Sequence, residues 1–382
     1  MTALALSKSN EGEYMRFLHI ADTHLGAVPD EGKAWSERRK RELWASFAEV
    51  IAVAKKTQMD MVLIAGDLFH RQPLLRELKE LNYIFQQVPE IKIVMIAGNH
   101  DFISTGSNYR KFSFAPNVTF LKENRMKSVY FKDLNTCVYG MSYWHREEPV
   151  AAYQEIVPDN PERINILLAH GGDSRHLPFS PQKLLDNGFD YLACGHIHKG
   201  GTLQGMYVQP KPFEAQGKMV QARAVMAGAL EPIDCNDTGE HGFWVGEVTK
   251  QYAQVQFCPI HRCQYIHETI QVAPHMTNLA VQTVIKNVLE NRKAYEIYKI
   301  YLEGSVAPEI EIDTEWIRSQ DAVVDVVDHL RPNYNYDKLK QEHSEMLLGR
   351  FISEMQSRGE ADIYRKALEV GVDAIVRNST VE

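Results

Sequence analysis

The most constraining feature of this chain is a series of five short apolar segments, each breaking off into a loop of metal-binding side chains. Met15–Ala21 runs into Asp22-Thr23-His24, and Met59–Ala65 into Gly66-Asp67 with His70. Ile91–Ala97 stops at Gly98-Asn99-His100-Asp101, Ile164–Ala169 at His170-Gly171, and Tyr191–Cys194 at Gly195-His196-Ile197-His198. Apolar runs this short and continuous read as strands buried on both faces. Between them the spacing becomes helical. Trp35–Lys56 carries Leu43, Trp44, Phe47, Val50, Ile51 and Val53 at intervals of three and four, and Leu74–Gln87 follows the same rule. Strands alternating with helices predict an α/β core with helices covering its sheets.

Later strands are expected at Asn117–Leu121, Ser128–Lys132, Thr136–Met141, Ala224–Met226, His241–Val248 and Tyr252–Cys258. Their meander-like order suggests a mixed sheet, or two mixed sheets packed together and flanked by helices. From Cys263 the pattern changes. Tyr265–Val272, Tyr295–Glu303 and Ala322–Leu330 read as strands, with helices at Asn278–Arg292 and Ile312–Ser319 between them. Two amphipathic helices follow, Leu339–Ser357 and Asp362–Arg377. The resulting division is a flexible leader over 1–14 without the features of a signal peptide, a core over 15–262, a small α/β cap over 263–332 and a C-terminal helical segment over 333–382.

Composition narrows the classes. At 44% hydrophobic and 24% charged residues, the chain can bury a core, which excludes disorder, collagen and coiled coil. No apolar run approaches the roughly 18–20 residues of a membrane helix. Five cysteines without a CxxC pair fit a reducing compartment, hence a cytoplasmic location. Residues 1–262 hold 29 Lys and Arg against 30 Asp and Glu, whereas 263–382 hold 13 against 20. That balance argues against coating nucleic acid electrostatically, and leaves room for a local strip of contacts.

In an α/β sheet, loops beyond the carboxyl ends of the strands share one crevice, so five such loops can converge. Asp22 and His24 are two apart, as are His196 and His198, so in extended chain each pair leaves on one face. Glycines at 66, 98, 171 and 195 permit tight exits. Two Asp, one Asn and up to five His are more donors than one ion uses, and suit two ions sharing a carboxylate. Imidazole and carboxylate without thiolate favour Mn²⁺, Fe²⁺ or Zn²⁺. Two ions about 3.5–4 Å apart polarise a phosphate and generate a hydroxide for in-line attack. Phosphoester hydrolysis is the chemistry this pattern asks for.

With all five motifs in order, Met15–Val248 resembles the calcineurin-like metallophosphoesterases. Asp22-Thr23-His24-Leu25-Gly26, Gly66-Asp67-Leu68-Phe69-His70 and Gly98-Asn99-His100-Asp101 look closest to the SbcD family of DNA repair exonucleases. Gly228-Ala229-Leu230-Glu231-Pro232 is similar to its bacterial members. The resemblance implies one ion on Asp22, His24, Asp67 and His198, and a second on Asp67, Asn99, His170 and His196, with Asp67 as the bridge and manganese as the metal. His100 would stabilise charge at the scissile phosphate and help protonate the leaving oxygen, Asp101 would orient the His100 ring, and His70 would place the phosphate. It further implies DNA as substrate, an SbcC-like SMC-type ATPase partner and a homodimer. His70-Arg71-Gln72 stands where protein phosphatases of this fold carry Asp-Arg-Gly, which favours a diesterase. Candidate DNA contacts are Arg38, Arg39 and Arg41 on the first helix, with Arg110 and Lys111 after the third motif. The competing reading is a phosphodiesterase or phosphatase for a small molecule or nucleotide.

Overall fold

The strands of the core are apolar on both faces because each face has its own partner. The computed structural model describes residues 14–211, 218–359 and 361–379; all of the expected leader except Tyr14 lies outside them. One seven-stranded sheet contains β1 (Met15–Ile20), β2 (Met61–Ala65), β3 (Lys92–Ile96), β4 (Val118–Phe120), and the later β10 (Val220–Gln221), β12 (His241–Thr249) and β13 (Tyr252–Ile260). Its order is β10-β13-β12-β1-β2-β3-β4. A six-stranded sheet contains β5 (Lys127–Phe131), β6 (Thr136–Gly140), β7 (Ile164–His170), β8 (Tyr191–Gly195), β9 (Gly201–Thr202) and β11 (Ala224–Met226) in the order β5-β6-β7-β8-β11-β9. Both sheets are mixed. β1 to β4 run parallel beside antiparallel β12, and β6, β7, β8 and β11 run parallel beside antiparallel β5 and β9.

Period-two alternation distributes side chains among three apolar layers. Met61, Leu63 and Ala65 of β2 meet Ile166, Leu168, Tyr191 and Ala193 between the sheets. Val62 and Ile64 point the other way, under α1 (Ser36–Lys56) and α2 (Leu75–Gln86). Of the positions that the helical spacing picks out, α1 buries Leu43, Phe47, Val50 and Ile51 and packs Trp44 and Val53 half-buried against the same core. Each such side chain removed from water contributes about 1.5–3 kcal/mol. Leu192 and Cys194 of β8 face a third layer with Leu184 of α3 (Pro181–Asp186), Phe179 and Tyr153. The result is helix, sheet, sheet, helix. In each sheet the parallel strands end on a common edge, where the five motif loops emerge.

The chain divides into two compact units, Met1–Tyr265 and Ile266–Glu382. In the second, β14 (Gln264–Val272), β15 (Glu296–Val306) and β16 (Val323–Asp328), with β17 (Arg331–Pro332) beside β15, form a four-stranded sheet. Its core joins Ile300 and Leu302 to Val281 and Ile285 of α4 (Asn278–Glu290) and Ile317 of α5 (Thr314–Arg318). The expected single helix Leu339–Ser357 is instead two, α6 (Tyr336–Glu342) and α7 (Leu347–Ser357). The break comes where the His343 carbonyl folds onto Gly349, 2.2 Å from where a Cβ would lie, a contact only glycine accepts. α8 (Asp362–Ser379) closes the unit, with Val372 against Leu348 and Ile352. α3 and the short β9, β10 and β17 fall on stretches too brief to carry a periodic signal.

Candidate metal centre

Asp22 and His24 leave the end of β1 on a backbone that is not extended. Both have left-handed φ, 49° and 44°, and Asp67 beyond β2 matches them at 49°. The two loops are laced together: Asp22 N donates to the Gly66 carbonyl and His24 N to the Asp67 carbonyl, each at 3.1 Å. The two-apart spacing therefore brings Asp22 and His24 together through left-handed turns rather than through strand alternation. His196 is also at positive φ, 106°. Four of the ten non-glycine residues with positive φ among the described residues thus lie in this one cluster, the kind of local strain that persists where the surroundings over-determine it.

Close approach accounts for the glycines. A Cβ on Gly98 would lie 2.2 Å from Asp67 Oδ1 and 2.7 Å from His170 Nε2, and one on Gly66 would lie 2.4 Å from His170 Nδ1. Only bare backbone lets the loops after β2, β3 and β7 converge.

Donor atoms meet at the middle. His24 Nε2 and His198 Nε2 are 3.0 Å apart. Asn99 Oδ1 lies 2.9 Å from His170 Nε2 and 3.0 Å from His196 Nδ1. Asp67 Oδ2 is 3.4 Å from His170 Nε2, while its Oδ1 accepts the His100 backbone N–H at 2.8 Å. Ligand atoms of Asp22, His24 and His198 all lie within 4.8 Å of one another, and so do those of Asp22, Asp67 and His170. Asp22, which also accepts the His196 backbone N–H at 2.9 Å, belongs to both groups, a central place that the resemblance gives to Asp67. The seven predicted ligands Asp22, His24, Asp67, Asn99, His170, His196 and His198 thus come into one crevice.

Protein acceptors hold the outer nitrogens of three rings. His170 Nδ1 donates to the Ala65 carbonyl at 2.8 Å, His196 Nε2 lies 2.8 Å from Asp173 Oδ2, and His198 Nδ1 lies 3.1 Å from both Asp237 oxygens. The inner nitrogens are left for an ion, the arrangement metal-ligating histidines adopt. The donor set fits a pair of divalent cations. Sequence reasoning missed Asp173 and Asp237, because neither sits in a strand-end motif; Asp173, three residues beyond His170, carried the fainter signal of a carboxylate close to a ligand.

Electrostatics is strained in the same place. Burial pushes Asp22 up to about 6. Burial also opposes ionised Asp67, yet the His170 imidazole beside it holds its carboxyl below the usual range. His170 and His198, which burial alone would lower, are raised to about 9, the first by Asp67 and the second by Asp237. His196 is lowered to about 4 by burial and by His170. Such opposed shifts mark sites that work on charge.

At the mouth, His24, His70 and His100 form a second imidazole group. His100 is half-buried, with Nδ1 3.1 Å from the His70 carbonyl oxygen and its ring centroid 4.8 Å from that of His24. His70 is exposed, its Nδ1 3.4 Å from His24 Nδ1. Asp101 does not orient His100. Its carboxylate is fully buried and accepts from Gly98 N, Phe69 N and the Tyr109 hydroxyl, at 2.8, 3.2 and 2.8 Å, so it ties the loops after β2 and β3 together.

Among the candidate DNA contacts, Arg39 is overturned. It is completely buried, donating to Glu42 at 2.6 Å, Glu231 at 3.2 Å and the Pro232 carbonyl at 3.0 Å, because position 39 falls on the face of α1 that packs on the core. Arg38 and Arg41 are exposed on the same helix, Arg38 lying 3.7 Å from Glu42. Arg110 and Lys111 are exposed, and the Arg110 guanidinium stacks 4.4 Å above the Trp144 ring. No helix among the described residues is long and apolar enough to cross a membrane.

Residues 15–200 match the family of calcineurin-like phosphoesterases. The chain is 26% identical over 319 residues to an uncharacterized metallophosphoesterase of Bacillus subtilis, covering 77% of this chain and 73% of that protein. It is 28% identical over 341 residues to the DNA double-strand break repair protein Mre11 of Sulfolobus acidocaldarius, covering 83% of this chain and 81% of that one. A dimetal phosphatase from Danio rerio, a solved structure, aligns over 64% of this chain and 99% of its own at 12% identity, with a TM-score of 0.35.

Proposed function

We propose that this chain, a calcineurin-like metallophosphoesterase over residues 15–200, is a Mn²⁺-dependent DNA exonuclease or endonuclease of DNA repair, of the SbcD type. The observation that carries the hydrolytic part is the convergence of seven oxygen and nitrogen donors beside His100 and His70. The DNA part is supported by the 28% identity to a double-strand break repair protein over 83% of the chain.

Asp22, His24, Asp67 and His198 hold one ion in this reading, and Asp67, Asn99, His170 and His196 the other. When bound, the ions supply Lewis acidity toward a phosphate and lower the pKa of water. The protein's own residues do the rest. Asp67 fixes the backbone of His100 through its N–H. His100, whose Nδ1 donates to the His70 carbonyl, turns Nε2 away from that contact and gives a proton from it to the departing oxygen when the ring is doubly protonated. His70, exposed at the rim, orients the phosphodiester. Asp101 keeps the loops carrying these two histidines at a fixed separation. Arg38, Arg41, Arg110 and Lys111 serve as backbone contacts for DNA; Arg39 does not.

In the same reading, residues 15–262 form the nuclease domain, 263–332 a cap, and 333–382 a docking segment for an SMC-type ATPase of the SbcC kind. The active form is a cytoplasmic homodimer. A second reading, a phosphodiesterase or phosphatase for a small molecule or nucleotide, is favoured by one observation, the near-neutral balance of residues 1–262.

The test is Mn²⁺-dependent degradation of end-labelled duplex DNA by the purified chain, beside hydrolysis of bis-p-nitrophenyl phosphate. Turnover of both substrates supports the repair nuclease. Turnover of the small diester with DNA untouched, even when an SMC-type ATPase partner is added, transfers the assignment to a small-molecule enzyme.

A further inference from the structure

The two histidines of Gly195-His196-Ile197-His198 are one residue apart from being neighbours, yet they present opposite ring nitrogens to the centre. His196 turns Nδ1 inward, 3.0 Å from Asn99 Oδ1, and Nε2 outward, 2.8 Å from Asp173. His198 turns Nε2 inward, 3.0 Å from His24 Nε2, and Nδ1 outward, 3.1 Å from Asp237. A neutral imidazole carries its proton on one nitrogen only, and the acceptor beside the outer nitrogen decides which.

Both carboxylates are themselves held in place. Asp173 Oδ1 accepts from Arg175 N at 2.8 Å and His176 N at 3.0 Å, and His176 Nδ1 approaches both oxygens at 2.9 Å. The turn is drawn tight by Gly172 N, which donates to the His176 carbonyl at 2.7 Å. Asp237 Oδ2 accepts from Ile233 N at 3.1 Å and Asp234 N at 3.3 Å. Two unrelated turns, one after β7 and one before β12, thus each aim a fixed carboxylate at one histidine.

We propose that Asp173 and Asp237 are positioning residues that act on different ions. Asp173 fixes His196 so that Nδ1 faces the ion held with Asn99 and His170. Asp237 fixes His198 so that Nε2 faces the ion held with Asp22 and His24. The inference rests on the two-ion reading above and adds that the affinities of the two sites are set separately, from outside the ligand shell. Removing either charge frees one ring to rotate or to take the wrong tautomer, while the other ring keeps its partner.

The experiment is Mn²⁺ titration of the whole chain by calorimetry, with bound metal counted by elemental analysis and the coupled ion pair followed by electron paramagnetic resonance. Asp173→Asn and Asp237→Asn are each expected to weaken one ion about 10–100-fold and leave the second at wild-type affinity. Which ion is affected is read in an Asn99→Ala background, where only the Asp22 and His24 site should retain metal. There, Asp237→Asn weakens the remaining ion and Asp173→Asn leaves it unchanged. Asp173→Glu and Asp237→Glu, which keep the charge, should restore most of the lost affinity, and circular dichroism in chelator checks that every variant is folded. Wild-type binding of both ions in either Asn variant, or equal weakening of both ions by each, overturns the proposal. A wild-type chain that binds fewer than two ions defeats the two-ion reading itself, and with it this inference.

Discussion

Two charged clusters lie largely buried in the first unit, and they are built on opposite plans. Around Arg39, every acid has a donor: the guanidinium reaches Glu42, Glu231 and the Pro232 carbonyl, and Ser46 donates to the second Glu231 oxygen at 2.6 Å. Only Arg39 Nε lacks a partner. This cluster is closed, and its role is to fasten α1 to the segment Leu230–Pro232. Around Asp22 and Asp67, donor atoms instead face donor atoms, His24 toward His198 and Asn99 toward His170, while the satisfied nitrogens point outward. Burial of polar groups is costly in both places. In the first the protein supplies the counter-charge, whereas in the second the inner lone pairs converge on a place for a cation.

The largest effect expected from breaking this contrast is at Asp67. Asp67→Asn removes a central charge of the open cluster, and turnover of a phosphodiester should fall by more than about 10³-fold with the circular dichroism spectrum unchanged. Full activity in that variant would contradict the two-ion assignment. His100→Ala keeps the backbone N–H that bonds Asp67 and removes only the ring beside His24, so it should lower turnover about 10²–10⁴-fold and keep both ions, as metal counting would reveal. Loss of metal from this variant would place His100 among the ligands.

The closed cluster should respond in stability instead. Arg39→Ala strands Glu231, and a urea titration should report a loss of about 3–5 kcal/mol, with metal bound per folded molecule unchanged. Arg39→Met combined with Glu231→Leu should recover most of that loss, since apolar packing replaces the pair. An Arg39→Ala chain that lost metal without losing stability would erase the distinction between the clusters.

A third buried group refines the comparison at the smallest scale. His19 lies in β1 only three residues before Asp22, fully buried, its Nδ1 3.1 Å from the Tyr191 hydroxyl. Burial lowers it to about 3, so it is neutral in the fold. Unfolded, an imidazole titrates near 6.5, so below that pH the unfolded chain binds a proton the native state refuses. Stability should therefore be fully present above about pH 6.5 and fall as the pH drops toward 3. In chelator, the midpoint of thermal unfolding between pH 7 and 5 should decline less steeply for His19→Asn than for the wild type. Equal slopes would mean that His19 carries none of the acid sensitivity.

Much of the core was legible in the chain. β1, β2, β3, β7 and β8, with α1 and α2, fall within a residue or two of the positions expected, because strands buried on both faces cannot hide their composition. The single helix over Leu339–Ser357 misled, since its apolar spacing runs through the break and the deciding contact, His343 on Gly349, is a backbone approach. Arg39 misled for a related reason. Four consecutive basic residues look alike in sequence, and only the packing of α1 shows which one faces inward.

Residue type and order determined the alternation of sheet and helix, the five loops and the donor set, because each is written in local composition and period. Tertiary structure alone decided which nitrogen of each histidine faces the centre, that Asp22 and His24 are left-handed rather than extended, that Asp101 ties loops instead of orienting His100, and that Asp173 and Asp237 stand behind the ligands. Those features depend on partners brought together across the sheet edge, 23 positions apart for Asp173 and His196 and 39 for His198 and Asp237, and no local pattern encodes a contact made at that distance.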